Sequence, residues 1–180
     1  MKRPVLTGLL IASVVALIGL VVVMRSAVQQ SAGPAPAAVK NITVTLDGTA
    51  VTLKDGVAER PAAPGSAAQD TVRIEGEPVM GDTTGDGKPD AALLIANDPG
   101  GSGTFYYAVL AVDNNGTYQA TNAVELGDRI DPEGIEFNNG RFVYRFLERK
   151  PGEPLAAAPN VEKRVEITVD PKSNRISAAA

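Results

Sequence analysis

The sequence predicts an all-β domain, one antiparallel β-sandwich or open barrel of about eight or nine strands, preceded by a single N-terminal transmembrane helix. Three observations carry this prediction. From Asn41 onward apolar residues recur at every second position, and no soluble stretch shows helical spacing. Dipeptides that favour two-residue hairpin turns punctuate the alternation at Asp47-Gly48, Asp55-Gly56, Asn115-Gly116 and Asn139-Gly140. Ahead of all this, residues 5–24 carry no charge.

Twenty helical residues at about 1.5 Å each cross roughly 30 Å of hydrocarbon. Thirteen of residues 5–24 are Val, Leu or Ile, so the run should enter the bilayer. A cleaved signal peptide usually has an apolar core of about 7 to 15 residues ending at a small-x-small site. Here the core is longer, Arg25 closes it, and the best such triplet, Ala35-Pro36-Ala37, lies far downstream. The reading is therefore an uncleaved signal anchor, with secretion after cleavage as the alternative. Lys2 and Arg3 outweigh Arg25, which keeps the N-terminus cytoplasmic and places the C-terminal domain outside the inner membrane, in the periplasm of a bacterium with two membranes. Residues 26–40, rich in Ala, Gln, Ser and Pro, read as a tether. The resulting map is anchor 1–25, linker 26–40 and extracytoplasmic β domain 41–180.

Within the domain Ile42, Val44 and Leu46 point one way and Val51 and Leu53 continue after Asp47-Gly48, which predicts a hairpin. Residues 57–70, with two prolines and little periodicity, predict a loop, and Val72 and Ile74 begin a third strand. Residues 91–96 and 105–112 are apolar on both faces, as strands buried on both sides require, so they should form the centre of the sheet system. The turn-forming residues 97–103 make them an antiparallel pair. A strand over 117–126 follows, then a short one around Ile135 and Phe137. Another carries Phe142, Tyr144 and Phe146, and a last has Val165, Ile167 and Val169 opposite a polar face.

Composition narrows the chemistry. The chain has no Cys and no His, which excludes disulfides, thiolate nucleophiles, Cys/His zinc sites and His-based catalytic pairs. Beyond residue 37 fourteen basic groups face twenty-one acidic ones, so nucleic acid and anionic surfaces are poor partners for the domain. The expected membrane contact is the N-terminal helix alone; a protein or glycan partner is left open.

The most informative stretch is Gly81-Asp82-Thr83-Thr84-Gly85-Asp86-Gly87-Lys88-Pro89-Asp90. Alternate oxygen-bearing residues in a tight loop point into one small volume that suits a hard cation. The stretch opens like an EF-hand, but Thr84 stands where Asp or Asn is usual and Leu93 stands where the bidentate Glu should be. It is more similar to the D-x-[ND]-x-D-G-x-x-D loop of FG-GAP and VCBS-type repeats, which lies between strands. That resemblance implies calcium bound weakly by Asp82, Thr84, Asp86, the Lys88 carbonyl and Asp90. A plain turn that uses Asp and Gly for conformational reasons is the equal alternative. The loop occurs once, so a propeller is not expected. Together with Asp55-Gly56-Val57-Ala58-Glu59, the segment 100–107 and Leu126-Gly127-Asp128-Arg129, it makes most of the soluble chain resemble a group of exported bacterial proteins of unknown function. That resemblance brings no catalytic residues.

The remaining candidates read as structure first. Gly100 to Gly103 has no following helix start and no Gly-Lys-Ser/Thr, so it is a hairpin tip rather than a phosphate cradle. Phe105, Tyr106 and Tyr107 could stack on a ring but sit in a core strand. Asp128, Asp131, Glu133 and Glu136 could supply a glycosidase acid and base, yet a charged surface loop explains them as well. The expectation is a non-catalytic binding or structural module. A carboxylate-dependent glycan hydrolase and an accessory subunit of a membrane complex are the alternatives.

Overall fold

The computed structural model describes residues 37–179. The predicted transmembrane helix and most of the linker lie outside the described residues, among which no helix is long and apolar enough to cross a membrane. What is described is all-β. One helical turn, α1 (Ala37–Lys40), precedes thirteen strands where eight or nine were expected. They are β1 (Thr43–Leu46), β2 (Thr49–Thr52), β3 (Val57–Pro61), β4 (Gln69–Ile74), β5 (Val79–Gly81), β6 (Asp90–Asp98) and β7 (Phe105–Asn114). β8 (Thr117–Ala120), β9 (Val124–Asp128), β10 (Asp131–Asn138), β11 (Arg141–Glu148), β12 (Val161–Asp170) and β13 (Arg175–Ala178) follow. Residues 37–40, assigned above to the tether, belong to the domain, because Val39 is fully buried in its core.

The two central strands behave as their composition requires. β6 and β7 pair antiparallel from Ala91 with Ala111 to Asn97 with Phe105. Ala91, Leu93 and Ile95 with Tyr107, Val109 and Ala111 face one core, shared with Val39, Val44, Leu53 and Val72. Ala92, Leu94, Ala108 and Leu110 face a second core, shared with Phe142, Tyr144, Ile167 and Ile176. A strand that feeds two cores has no wet face, hence the unbroken apolar runs.

Around this pair the strands form three antiparallel sheets. The hairpin β1-β2 stands alone, β10-β11-β12-β13 form a four-stranded sheet, and seven strands run β3-β4-β6-β7-β8 with β5 added to β6 and β9 to β7. The strand expected to begin at Val72 and Ile74 ends at Ile74 and is followed by the separate β5, and the strand expected over 117–126 is broken into β8 and β9. β6 pairs with β4 at one end and β5 at the other, and β7 pairs with β8 at one end and β9 at the other. At the second break the labour is divided, with Tyr118 and Ala120 of β8 on the first core and Val124 and Leu126 of β9 on the second; at the first, β4 packs Val72 and Ile74 on the first core, and β5 serves both, Met80 on the first and Val79 on the second. The predicted loop at 57–70 is in part a strand as well. β3 pairs with β4 from Val57 with Arg73 to Pro61 with Gln69. It lacks apolar alternation because it is an exposed edge, where Pro61 is tolerated.

Two polar side chains tie the sheets together. Asn122, in the break between β8 and β9, accepts from the Ile176 N–H at 2.8 Å and donates to the Ile176 carbonyl at 3.1 Å, so one amide side chain does the work of a neighbouring strand for the edge strand β13. Its backbone forms an isolated parallel bridge with Thr45 of β1, so all three sheets meet at this residue. Tyr144, fully buried in the second core, donates from its hydroxyl toward the Leu93 and Val109 carbonyls at 3.0 and 3.3 Å. Burial without a charged partner raises its phenol far above the usual range.

Candidate functional site

The acidic loop joins β5 to β6 and is held from three sides. Gly81 begins it because the Phe137 ring of β10 lies flat against its backbone; a Cβ there would come within 2.4 Å of the ring. The Thr83 hydroxyl donates to the Gly140 carbonyl at 2.9 Å in the β10-β11 turn. The Lys88 ammonium donates to the Asn115 side chain at 2.8 Å in the β7-β8 turn. Gly85 and Gly87 have φ of 77° and 85°, the left-handed region that glycine enters without strain.

Of the five predicted ligands, Asp90 has the clearest role. Its Oδ2 accepts from the Thr83 and Thr84 N–H groups at 3.1 and 3.2 Å, and its Oδ1 accepts from the Asp113 N–H at 3.0 Å. It is 0% exposed. Burial pushes its carboxyl above the usual carboxylate range, the three amide donors pull it down, and the neighbouring Asp82 charge adds to the rise. Asp82 caps the loop from the other end: Oδ1 accepts from Gly85 N–H at 2.6 Å and Oδ2 from Gly87 N–H at 2.9 Å. Asp86 turns outward, accepts the Lys88 N–H at 3.0 Å and lies 3.7 Å from the Lys88 ammonium. The Thr84 hydroxyl oxygen is buried without a hydrogen-bond partner.

This arrangement fits a cation in one respect and not in another. An orphaned hydroxyl oxygen in the loop, at Thr84, is the kind of ligand a hard ion takes. Asp90, by contrast, has both oxygens committed to backbone amides and no open surface, so it organises the loop. Among the described residues no three acidic side chains converge as a metal site requires.

The second carboxylate cluster is a set of ion pairs. Asp128 Oδ2 accepts from Arg129 Nη2 at 2.6 Å, and its Oδ1 accepts from the Thr104 N–H at 3.2 Å. Arg149 donates to the Asp128 and Arg129 carbonyls at 2.8 and 3.1 Å. The guanidinium of Arg129 holds the Asp128 carboxyl below the usual range. Glu136 accepts from Arg145 at 2.6 Å and from Arg164 at 3.4 Å, and Glu133 lies 3.6 Å from Arg145. Asp131 is exposed.

The glycine and aromatic candidates have structural tasks. Gly100, at φ 81°, packs so closely on β4 that a Cβ would lie 2.7 Å from the Gln69 carbonyl oxygen. The Tyr107 hydroxyl donates to Asp47 at 2.8 Å and fastens the β1-β2 turn to the central sheet. Phe105 packs on the first core and Tyr106 on the second. One functional candidate escaped the sequence altogether: Asp70, buried, receives Arg60 Nε at 2.8 Å on Oδ2 while its Oδ1 has no partner. No periodic signal marks residues ten apart in a segment that reads as loop; only the β3-β4 register brings them face to face.

Comparison with family models, with curated proteins and with solved structures finds no match.

Proposed function

We propose that this chain is a membrane-anchored, extracytoplasmic β domain that acts as a non-catalytic binding or structural module. The described domain is in this reading an open barrel, in which the hairpin β1-β2 lies between the two edge strands β3 and β8 of the seven-stranded sheet. The four-stranded sheet packs outside it on β6 and β7. The observation that carries the non-catalytic part is the engagement of the carboxylates. Asp90 is held by backbone amides and Asp128, Glu133 and Glu136 by arginine, which leaves exposed Asp131 alone among the four glycosidase candidates. A glycosidase needs two carboxyls free to face a substrate at roughly 5 to 9.5 Å separation. The N-terminal run 5–24 supplies the anchor.

The test is fractionation of the full chain with alkaline extraction and protease added to spheroplasts. The expected outcome is a membrane-retained chain of full mass whose domain is digested from outside. A shorter, freely soluble chain replaces anchoring with secretion.

A second reading, calcium at the acidic loop, is favoured by the Thr84 hydroxyl oxygen, buried without a hydrogen-bond partner. Calcium would be held by Asp82, Thr84, Asp86 and the Lys88 carbonyl, with Asp90 behind them holding the loop through its three backbone donors. The affinity expected for so few charges is in the range of about 10⁻⁴ to 10⁻³ M. Melting the full chain in millimolar calcium and in chelator tests it. Calcium should raise the midpoint, and the rise should shrink in Asp86→Ala; superimposed curves remove the metal.

A further inference from the structure

The hairpin β1-β2 is a sheet of its own, its backbone joined to its neighbours among the described residues only by the isolated bridges Thr45 to Asn122 and Lys54 to Val57. Leu53 N–H donates to the Ile42 carbonyl at 2.9 Å. In antiparallel alternation this bonds Val51 to Val44 and turns the backbone groups of Ala50 and Thr52 away from β1. On β3 the bonds Ala62 N–H to Ala68 carbonyl and Ile74 N–H to Gly56 carbonyl bracket the ladder with β4. By the same alternation Glu59 and the Pro61 carbonyl face away from β4, toward β2. β2 and β3 are joined by the tight turn at Asp55-Gly56, and Lys54 and Val57 exchange both backbone bonds at 2.9 and 3.1 Å. The next rung, Thr52 with Glu59, belongs to no strand pairing among the described residues: the Lys54-Val57 bridge is isolated, and β2 and β3 lie in different sheets.

The strands instead splay into a wedge of about 220 Å³, lined by Val51, Thr52, Ala58, Arg60, Asp70 and Val72. Asp70 forms its inner wall. It is 8% exposed; Oδ2 is paired with Arg60, and Oδ1 is buried with no donor. A buried carboxylate oxygen without a hydrogen bond is costly, and a donor brought by a bound partner is one way such an atom is satisfied. Glu59 and Asp70 exceed Arg60 by one negative charge, in a domain that is itself acidic.

We propose that the wedge between β2 and β3 is a strand-addition site for an extended basic peptide segment of a partner protein. The segment pairs its backbone with Ala50, Thr52 and Glu59 and, by parting the strands further, brings a lysine or arginine to the covered free oxygen of Asp70. Main-chain bonds supply affinity in this mode, and the side chain that meets Asp70 supplies selectivity. This rests on the binding-module reading above and gives it a ligand class.

The test is fluorescence anisotropy with the full chain in detergent micelles and a labelled heptapeptide of alternating threonine and valine carrying one central lysine. Two control peptides replace the lysine by glutamate or place proline beside it. The lysine peptide should bind, and each control should bind at least tenfold more weakly. Asp70→Asn should lose the preference for lysine over glutamate. Because Asp70→Asn also weakens the pairing with Arg60, a second variant, Glu59→Pro, removes an N–H that faces the wedge and leaves the β3-β4 bonds intact, with Glu59→Gln as the control for the lost charge; Glu59→Pro should weaken all binding tenfold or more relative to Glu59→Gln. Equal binding of the lysine and glutamate peptides, or undiminished binding by Glu59→Pro, overturns the site. Mass spectrometry of the recovered peptide separates the two readings: intact but unbound peptide overturns the strand site alone, and cleaved peptide overturns the non-catalytic module.

Discussion

Asp90 and Asp128 both hold a sharp corner by accepting backbone N–H groups, and the means differ. Asp90 stands at the start of β6 with three amide donors, no cation and no exposed surface. Asp128 ends β9 with one amide donor and a guanidinium on each side of its corner. Burial dominates the first carboxyl and raises it; charge pairing dominates the second and lowers it. The same residue type can therefore be a liability to ionise in one place and a source of stability in the other. A carboxylate read from sequence as a ligand or an acid carries neither meaning until its donors are known.

Removing the two carboxylates should separate the corners by size of effect. Asp90→Ala leaves three inward-facing N–H groups without an acceptor, each worth about 1 to 3 kcal/mol, so its loss of stability should be about 3 kcal/mol or more. Urea unfolding reads this as a lower midpoint at unchanged slope. A loss below about 1 kcal/mol would mean that solvent or an ion reaches those amides. Gly81→Ala comes next. Its Cβ must displace the Phe137 ring that closes the acidic loop against β10, at a cost of roughly 1 to 3 kcal/mol. Phe137→Leu in the same chain should recover part of that cost, and failure to do so would detach the loop from the four-stranded sheet. Asp128→Ala should cost about 1 to 2 kcal/mol, because the Thr104 N–H lies nearer the surface and Arg149 still holds the two corner carbonyls.

Much of the comparison was visible in the sequence and part of it was not. The apolar runs of β6 and β7, the hairpin turns at Asp47-Gly48, Asn115-Gly116 and Asn139-Gly140, and the all-β class follow from local alternation and turn chemistry. β3 was hidden because an exposed edge strand needs no apolar face. The break between β8 and β9 was hidden because it answers to two cores on opposite sides of one sheet, a demand that arises only after folding. At the acidic loop the residue types and spacing were legible, but the direction of Asp90 was not. Its partner Asp113 is 23 positions away, and only the pairing of β6 with β7 brings them together. Asp128 and Thr104 are 24 positions apart and are joined by the pairing of β9 with β7.

The smallest effect is the one whose sign tests the comparison most directly. For Asp90 the carboxyl in the folded chain lies above its value in the unfolded chain. The folded state then binds the proton more tightly, and stability falls as pH rises from the unfolded value through the folded one. For Asp128 the folded value lies below the unfolded one. Its contribution is complete above the unfolded value and disappears as pH falls through the folded value. Stability measured by urea from about pH 2 to 7 in the parent, Asp90→Asn and Asp128→Asn chains isolates each term as a difference. The parent minus Asp90→Asn difference should decline with rising pH, and the parent minus Asp128→Asn difference should grow. The Asp128 curve should flatten in high salt, since its guanidinium partners are reached by solvent, whereas the Asp90 curve should not. If the Asp90 difference grows with pH instead, the three amide donors outweigh burial, and the two corners are the same device with different partners.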